Sequence, residues 1–163
     1  MIFVTIGSLF PFDRLVRLID EMAPKFPDEE FFCQIGNGKY EPVNCPFSRM
    51  LPAPEFSAKL KASSLIVAHA GMGSVIMAME NNKPIVILPR ILEQGEHTTD
   101  HQMATARWLR SKSGIRVAMT DEELEPCMRT ALSASGEDSQ ISNKAPDEFL
   151  QKIRSYILAA AGT

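Results

Sequence analysis

The chain lacks several features that would point to common classes of protein. It has no excess of positive charge, since 17 lysine and arginine residues stand against 20 aspartate and glutamate residues and the net charge is −3. A broad basic surface for nucleic acid is therefore not expected. The sequence has no apolar run of about 18 residues, the length that would predict a membrane-spanning helix. The N-terminal residues lack the basic flank and cleavage site of a signal peptide and are typical of a strand.

Cysteine is scarce as well. The three cysteines, Cys33, Cys45 and Cys127, are odd in number and share no spacing typical of a metal site. A reduced cytoplasmic chain with structural, unreactive cysteines is the simplest interpretation.

What the chain does contain is an alternation of apolar strands with amphipathic helices. Its 163 residues, 45% of them hydrophobic, are enough for one domain with a proper core. Strands are predicted at residues 2–6, 31–35, 49–51, 65–68, 85–88 and 115–119. Helices are predicted at residues 11–22, 56–62, 75–82, 100–111 and 146–160. Another helix is predicted to begin with a capping box at residues 120–123, and a mobile loop is predicted at 133–144. Strands that are apolar throughout indicate an α/β fold, an open, mostly parallel sheet with helices on both faces.

The stretch from Leu65 to Pro89 is the centre of the predicted fold. It combines a strand, the glycine turn HAGMGS at residues 69–74, a short helix and a second strand, a layout that aims a helix N-terminus at a bound anion. Gly71 and Gly73 permit close backbone approach and Ser74 can cap the helix, so a phosphate or pyrophosphate fits. A tight turn without any ligand would use the same glycines, and this alternative stays open.

Ligands of such sheets bind beyond the carboxyl ends of the strands. This rule brings four segments to one rim: residues 7–8, 36–38, 69–74 and 90–102. His69 ends its strand at that rim, where a histidine is more often a hydrogen-bonded structural residue than a catalyst.

Spacing argues against three familiar motifs. The dinucleotide fingerprint requires a third glycine where Ile76 stands and an acidic residue where Pro89 and Arg90 stand, so NAD binding is disfavoured. The chain has no Gly-x-x-x-x-Gly-Lys-Ser/Thr loop, and Ser74 does not lie within Gly-x-Ser-x-Gly. A nucleoside triphosphatase loop and a hydrolase elbow are therefore absent.

A second polar cluster follows the second strand of this unit. It contains Glu96, His97, Asp100, His101 and Gln102, whose carboxylate and amide groups suit paired hydrogen bonds to adjacent sugar hydroxyls. Two alternatives remain: the first four could form a metal cluster, or the segment is a solvated loop with Asp100 as a helix N-cap.

Together these motifs resemble glycosyltransferase family 28, specifically its nucleotide-sugar-binding C-terminal half. The resemblance covers nearly all of residues 1 to about 130 and rests on HAGMGS at 69–74, Lys83-Pro84, Pro89-Arg90, Gly-Glu-His at 95–97, Asp-His-Gln at 100–102, and the N-terminal MIFVTIG with PFDRL at 11–15. The chain is similar to the small subunits of two-subunit UDP-sugar transferases. It is most similar to the bacterial exopolysaccharide and capsule type, and it also resembles the cytosolic subunit of the dolichol-linked UDP-GlcNAc transferase.

The resemblance implies a single Rossmann-like domain over residues 1–163, the donor-binding half of a GT-B glycosyltransferase. It implies a metal-independent, inverting hexosyltransferase subunit that moves a sugar from a UDP-sugar to a lipid-linked acceptor in polysaccharide biosynthesis. The UDP-sugar is a substrate and no cofactor is implied. A membrane-anchored partner subunit would hold the acceptor, supply the catalytic base and recruit this cytoplasmic chain to the membrane.

The resemblance also assigns roles to individual positions. The donor diphosphate is assigned to the first loop and the glycine turn: Gly7, Ser8, His69, Gly71, Met72, Gly73 and Ser74. The donor sugar is assigned to Glu96, His97, Asp100, His101 and Gln102. Uracil and ribose are assigned to Arg49, Met50, Leu51, Met77 and Glu80. Met77 stands where many relatives carry a glutamate that binds the ribose, and Glu80 would reach the ribose only if the helix began elsewhere.

A second hypothesis is a non-catalytic interaction subunit that stabilises or stimulates a separate transferase. Met77 in place of the acid is its support. The last predicted helix carries an apolar stripe, Phe149, Ile153, Tyr156 and Ile157, which could cover the core of this domain or dock onto a partner.

Overall fold

The computed structural model describes residues 1–112 and 114–134. The strands of this part are β1 (Ile2–Thr5), β2 (Phe31–Gln34), β3 (Phe47–Ser48), β4 (Leu65–His69), β5 (Ile85–Leu88) and β6 (Ile115–Val117). Its α-helices are α1 (Asp13–Met22), α2 (Ala53–Ala62), α3 (Met72–Glu80), α4 (His101–Leu109) and α5 (Asp121–Ser133), and short 3-10 helices lie at Ala23–Lys25 and Leu92–Gln94.

The strands form one parallel sheet in the order β3-β2-β1-β4-β5-β6. The predicted fold class, an open parallel sheet with helices on both faces, is confirmed. The chain builds outward from β1 to β3, returns to the centre at β4, and then builds outward in the other direction. In such sheets the connections after β1 and β4 diverge and leave a crevice at the carboxyl edge, which is where ligands bind.

Each face of the sheet is buried under helices. Phe3 of β1 belongs to the core with α2, α3 and α4, whereas its neighbour Val4 belongs to the core with α1 and α5. Both residues are fully buried. Burial on both faces is why the central strands are apolar at every position and do not alternate with polar residues.

The weak strand predicted at 49–51 is wrong in position, because β3 covers Phe47–Ser48. Pairing with β2 decides its place: Cys33 lies opposite Phe47 and Gln34 opposite Ser48, and the ladder ends as β2 reaches Gly36, which has a positive φ of 52°. The helix predicted at 56–62 begins three residues earlier, at Ala53, because Pro52 and Pro54 suit the first turn of a helix.

Other predicted boundaries differ by a few residues. Residues 6, 35 and 118–119 lie outside the strands assigned to them, and α4 ends at Leu109. The helix α5 extends to Ser133, the first residue of the predicted loop 133–144. The rest of that loop beyond residue 134 and the apolar stripe of the predicted helix 146–160 lie outside the described residues.

The helix caps differ from the predicted ones. Gly71 is the N-cap of α3, so Ser74 is not a cap: it is the third residue of the helix and is buried. Thr120 and Asp100 do occupy N-cap positions, but neither side chain makes the capping hydrogen bond. The carboxylate of Glu123 accepts a hydrogen bond from the N–H of Met119 at 2.8 Å, one residue before the position that a capping box requires.

Candidate functional site

A cleft of about 250 Å³ lies at the carboxyl edge of the sheet, around the ends of β1, β4 and β5. Its walls are the first loop (residues 6–10), His69 at the end of β4, the start of α3, and three residues that follow β5. The cleft therefore occupies the crevice that the strand order predicts.

His69 is packed between Gly7, which lines the cleft, and Gly71, which lies outside the lining. A Cβ atom on Gly71 would overlap the imidazole Nε2, and a Cβ on Gly7 would lie 2.8 Å from the imidazole Cε1. Gly7 also has a positive φ of 77°, which favours glycine. The position of the imidazole thus explains both glycines without a ligand.

The environment of His69 keeps its ring neutral at neutral pH. Burial, followed by the positive charge of Arg90, lowers its pKa to about 4. Its Nδ1 atom is buried and has no hydrogen-bond partner among the residues that the structure describes. A neutral imidazole can donate one hydrogen bond to an oxygen without carrying a charge.

Gly73 behaves differently from the other glycines. It is the second residue of α3 and lines the cleft, and a Cβ atom placed on it would meet nothing within 4 Å. A glycine within a helix costs about 0.5–1 kcal/mol relative to alanine. The packing of this domain does not require glycine at that position, whereas a ligand that approaches the backbone would.

The start of α3 also supplies hydrogen-bond donors. The N–H of Ser74 already donates to the carbonyl of Gly71 at 3.1 Å, so the donors left for a ligand are the N–H groups of Met72 and Gly73, at the positive end of the helix dipole. Ser74 and Met77 line the cleft beside them. Met72 is an exposed side chain outside the lining, and Glu80 is exposed at the far end of α3.

Arg90, to which no role was assigned from the sequence, is the second residue after β5 and lines the cleft. Its side chain donates hydrogen bonds to main-chain carbonyls of the first loop, at 2.7 Å to Ile6 and 2.7 Å to Phe10. Its guanidinium carbon also lies 4.9 Å from the centroid of the Phe12 ring. The signal in the sequence was a charged residue two positions after a fully apolar strand.

Two residues of the predicted sugar cluster line the cleft. The Oε1 atom of buried Gln102 accepts a hydrogen bond from the backbone N–H of Arg90 at 3.1 Å, which leaves the amide nitrogen for a ligand. His97 lies against Phe10 with ring centroids 4.8 Å apart, and its Nδ1 accepts a hydrogen bond from the N–H of Thr99.

The other three residues of that cluster lie outside the lining. Asp100 and His101 are exposed at the start of α4. Glu96 forms a two-bond ion pair with Arg14, at 2.8 Å for each bond, and also accepts a hydrogen bond from the N–H of Ile91 at 2.8 Å. Both carboxylate oxygens are thus used within the chain, and the geometry favours a structural role for Glu96.

The ion pair belongs to a larger network around Arg14. The guanidinium also donates hydrogen bonds to Asp121, at the start of α5, and to the carbonyl of Pro89 at 2.8 Å. It therefore joins α1, the segment after β5 and α5 through one side chain.

The predicted uracil segment lies outside the lining of the cleft. Arg49 donates a hydrogen bond to the carbonyl of Gly38 at 2.9 Å and pairs with Glu41. Met50 is half exposed, with its sulfur 3.7 Å from the amide nitrogen of Gln34. Leu51 packs against the core on the α2 side of the sheet.

Within residues 1–112 and 114–134, no three His, Cys, Asp or Glu side chains are grouped so that they could hold a metal ion, and this includes the predicted cluster after β5. In the same ranges, no helix is long and apolar enough to cross a membrane.

The fold and the cleft define this protein as a Rossmann-like α/β domain with a cleft at the switch point of its sheet. The model of the glycosyltransferase family 28 C-terminal domain matches residues 1–156. The chain therefore belongs to this family, and the resemblance inferred from its motifs is confirmed.

Solved structures support the fold. The solution structure of ALG13 is 19% identical with a TM-score of 0.61, covering 87% of this chain and 90% of that one. The glycosyltransferase SsfS6 of Streptomyces sp. SF2575, complexed with thymidine diphosphate, is 18% identical with a TM-score of 0.56 over 87% of this chain. MurG of Acinetobacter baumannii is 21% identical with a TM-score of 0.51 over 86% of this chain.

The chain is much shorter than several of the structures that it resembles. It spans 34% of the length of SsfS6 and 45% of the length of MurG. No curated protein sequence matches it significantly.

Proposed function

We propose that this chain is the donor-binding subunit of a UDP-sugar glycosyltransferase. In this proposal the diphosphate of the donor lies against the start of α3, between the first loop and the glycine turn. The observation that carries it is Gly73, a helical glycine whose missing side chain leaves open space in the cleft. Membership of family 28 supports the choice of a nucleotide sugar as the ligand.

The size of the cleft supports a partner subunit. At about 250 Å³, the cleft is smaller than the roughly 300–1,000 Å³ typical of sites that enclose a small molecule. It has room for part of a nucleotide sugar, so a second surface would have to cover the rest. The longer chains of similar structures, such as MurG, contain sequence beyond the part that matches this chain. In our proposal a separate membrane-associated protein provides that surface, holds a lipid-linked acceptor and supplies the catalytic base.

The chemistry assigned to this chain is stabilisation of the leaving group. Transfer of the sugar breaks its bond to the β-phosphate and leaves negative charge on UDP. The N–H groups at the start of α3 and the neutral ring of His69 would donate hydrogen bonds to that charge. Gln102 is a predicted sugar contact that lines the cleft, and its amide nitrogen remains free for a ligand. Polysaccharide assembly at the cytoplasmic face of the membrane is the pathway we propose for this reaction.

Titration calorimetry tests the donor site directly. UDP and uridine are titrated into wild type and Gly73→Val, each alone and with a co-expressed candidate partner. We expect the valine, which adds bulk where only glycine leaves space, to weaken UDP binding by at least about tenfold while uridine binding changes little. Equal UDP affinity in the two proteins, or no binding by wild type with the partner present, would contradict the assignment. A transfer assay with a panel of UDP-sugars and lipid acceptors then identifies the reaction.

A non-catalytic interaction subunit is the second candidate. Met77 lines the cleft with a thioether where many relatives carry a ribose-binding acid, and this observation favours a site that has lost donor affinity. The variants His97→Ala and Gln102→Ala distinguish the two candidates in the assembled complex, because both residues line the cleft. Turnover that is unchanged in both would favour the second candidate.

A further inference from the structure

Arg90 is a charged side chain with an unusual environment. It is 2% exposed, yet within the described ranges it forms no ion pair with a carboxylate. The charge of Glu96 raises the pKa of Arg90, but the two carboxylate oxygens are bound to Arg14 and to the N–H of Ile91. A buried charge without a counter-charge is costly, so its retention beside a cleft needs an explanation.

Main-chain carbonyls accept three hydrogen bonds from the Arg90 guanidinium, but they do not balance its charge. The Nη2 atom donates to the carbonyls of Ile6 and Phe10, and Nε donates to the carbonyl of Pro11 at 3.4 Å. Through its backbone N–H the same residue also binds Gln102. Arg90 therefore joins the first loop, the end of β5 and the start of α4, which form three walls of the cleft.

The charge of Arg90 extends into the cleft. Burial lowers the pKa of its guanidinium to about 10, so it remains protonated at neutral pH. The same charge contributes to the lowered pKa of His69, which lines the same cleft at the end of the neighbouring strand β4. An anion bound in that cleft would supply the missing counter-charge.

We propose that Arg90 is the counter-charge for the diphosphate of the donor and that its hydrogen bonds hold the first loop in the binding conformation. This inference rests on the proposed function for the identity of the ligand. The charge effect and the loop effect make different predictions, because lysine keeps the charge but cannot donate in three fixed directions.

The experiment compares wild type, Arg90→Lys and Arg90→Met by titration with UDP, uridine and inorganic pyrophosphate at two salt concentrations. Removal of a charged hydrogen-bonding group from a buried site predicts a loss of roughly 10- to 100-fold in UDP and pyrophosphate affinity for Arg90→Met. Uridine affinity should change much less. Arg90→Lys should lie between Arg90→Met and wild type, and the salt dependence of UDP binding should be weakest in Arg90→Met. Thermal unfolding of each variant establishes that it is folded at the temperature of titration.

Each result supports or overturns the inference. An unchanged ratio of UDP to uridine affinity in Arg90→Met, including an equal loss for both ligands, would assign Arg90 to loop structure alone and overturn the counter-charge. If wild type binds pyrophosphate but not UDP, and Arg90→Met loses the pyrophosphate, the proposed function fails while the anion site stands. If wild type binds neither ligand even with the partner present, both fail. Should Arg90→Met not fold, the comparison of Arg90→Lys with wild type decides in the same way, since a loop role alone predicts equal losses for UDP and uridine.

Discussion

The contact between Glu96 and Arg14 allows a decisive test of what Glu96 does. The sequence predicted a sugar-binding carboxylate, whereas the structure places it in an ion pair whose side chains are only 14% and 11% exposed. We propose the substitution Glu96→Gln, which keeps the size of the side chain and removes its charge. A structural role predicts a loss of stability, and a sugar-binding role predicts a loss of transfer.

The magnitude follows from the contacts. Removal of one partner of a buried ion pair costs about 3–5 kcal/mol when the other charge is left unpaired. Here Arg14 keeps its contacts with Asp121 and with the carbonyl of Pro89, and the glutamine oxygen can still accept a hydrogen bond. We therefore expect Glu96→Gln to lower the free energy of unfolding by about 2 kcal/mol, below that range.

Urea unfolding of wild type, Glu96→Gln, Arg14→Met and the double variant measures the pair directly. The double variant should be less destabilised than the sum of the single variants, with a coupling of about 1–3 kcal/mol, because each single variant already removes the shared bonds. Asp100→Ala is the matched control on the same segment, since its exposed side chain makes no capping hydrogen bond. If Glu96→Gln leaves the unfolding free energy unchanged while transfer is lost, the structural interpretation of Glu96 is wrong.

Three further predictions concern the cleft and its surroundings. Gly73→Ala should raise the free energy of unfolding by about 0.5–1 kcal/mol and weaken UDP binding, as measured by urea unfolding and calorimetry; a destabilised variant would contradict the argument from open space. The lowered pKa of His69 means that the unfolded chain takes up a proton between pH 6.5 and about 4 while the folded chain does not. Stability should therefore fall by up to about 3 kcal/mol as the pH falls through that window, and a pH series of urea unfolding should show less of this slope in His69→Gln. Although burial alone would raise it, the pKa of Asp20 is lowered, because its carboxylate accepts hydrogen bonds from the N–H of Val43 and the hydroxyl of Tyr40. Asp20→Ala should lower the free energy of unfolding by about 2–3 kcal/mol with UDP affinity retained, and a loss of affinity without a loss of stability would contradict this structural role.

The central strands were predictable because they are buried on both faces. Leu65 to Ala68 and Ile85 to Leu88 are apolar at every position, and only a parallel sheet covered by two layers of helices buries such runs completely. The strand β3 was misplaced because two residues carry no periodic signal of their own. Its position depends on pairing with Cys33 and Gln34 of β2, a tertiary contact.

The candidate site was likewise predictable only in part. Local spacing placed the glycine turn at the start of a helix and at the carboxyl edge of a strand, and the structure brings His69, Gly73 and Ser74 to one cleft. The capping role of Ser74 was wrong because the helix begins one turn earlier, at Met72, with Gly71 as its cap.

The sequence by itself determined the parallel sheet, the sheet edge at which the cleft lies and the family, because each depends on runs or motifs within a few consecutive residues. The tertiary structure decided how polar side chains of similar chemistry are used. Glu96 turns away from the cleft because Arg14, 82 residues distant in the chain, binds both of its oxygens. Arg90 faces the cleft because carbonyls of the first loop, 80 or more residues earlier, hold its guanidinium there. Long-range partners of this kind leave no periodic signal in a single sequence.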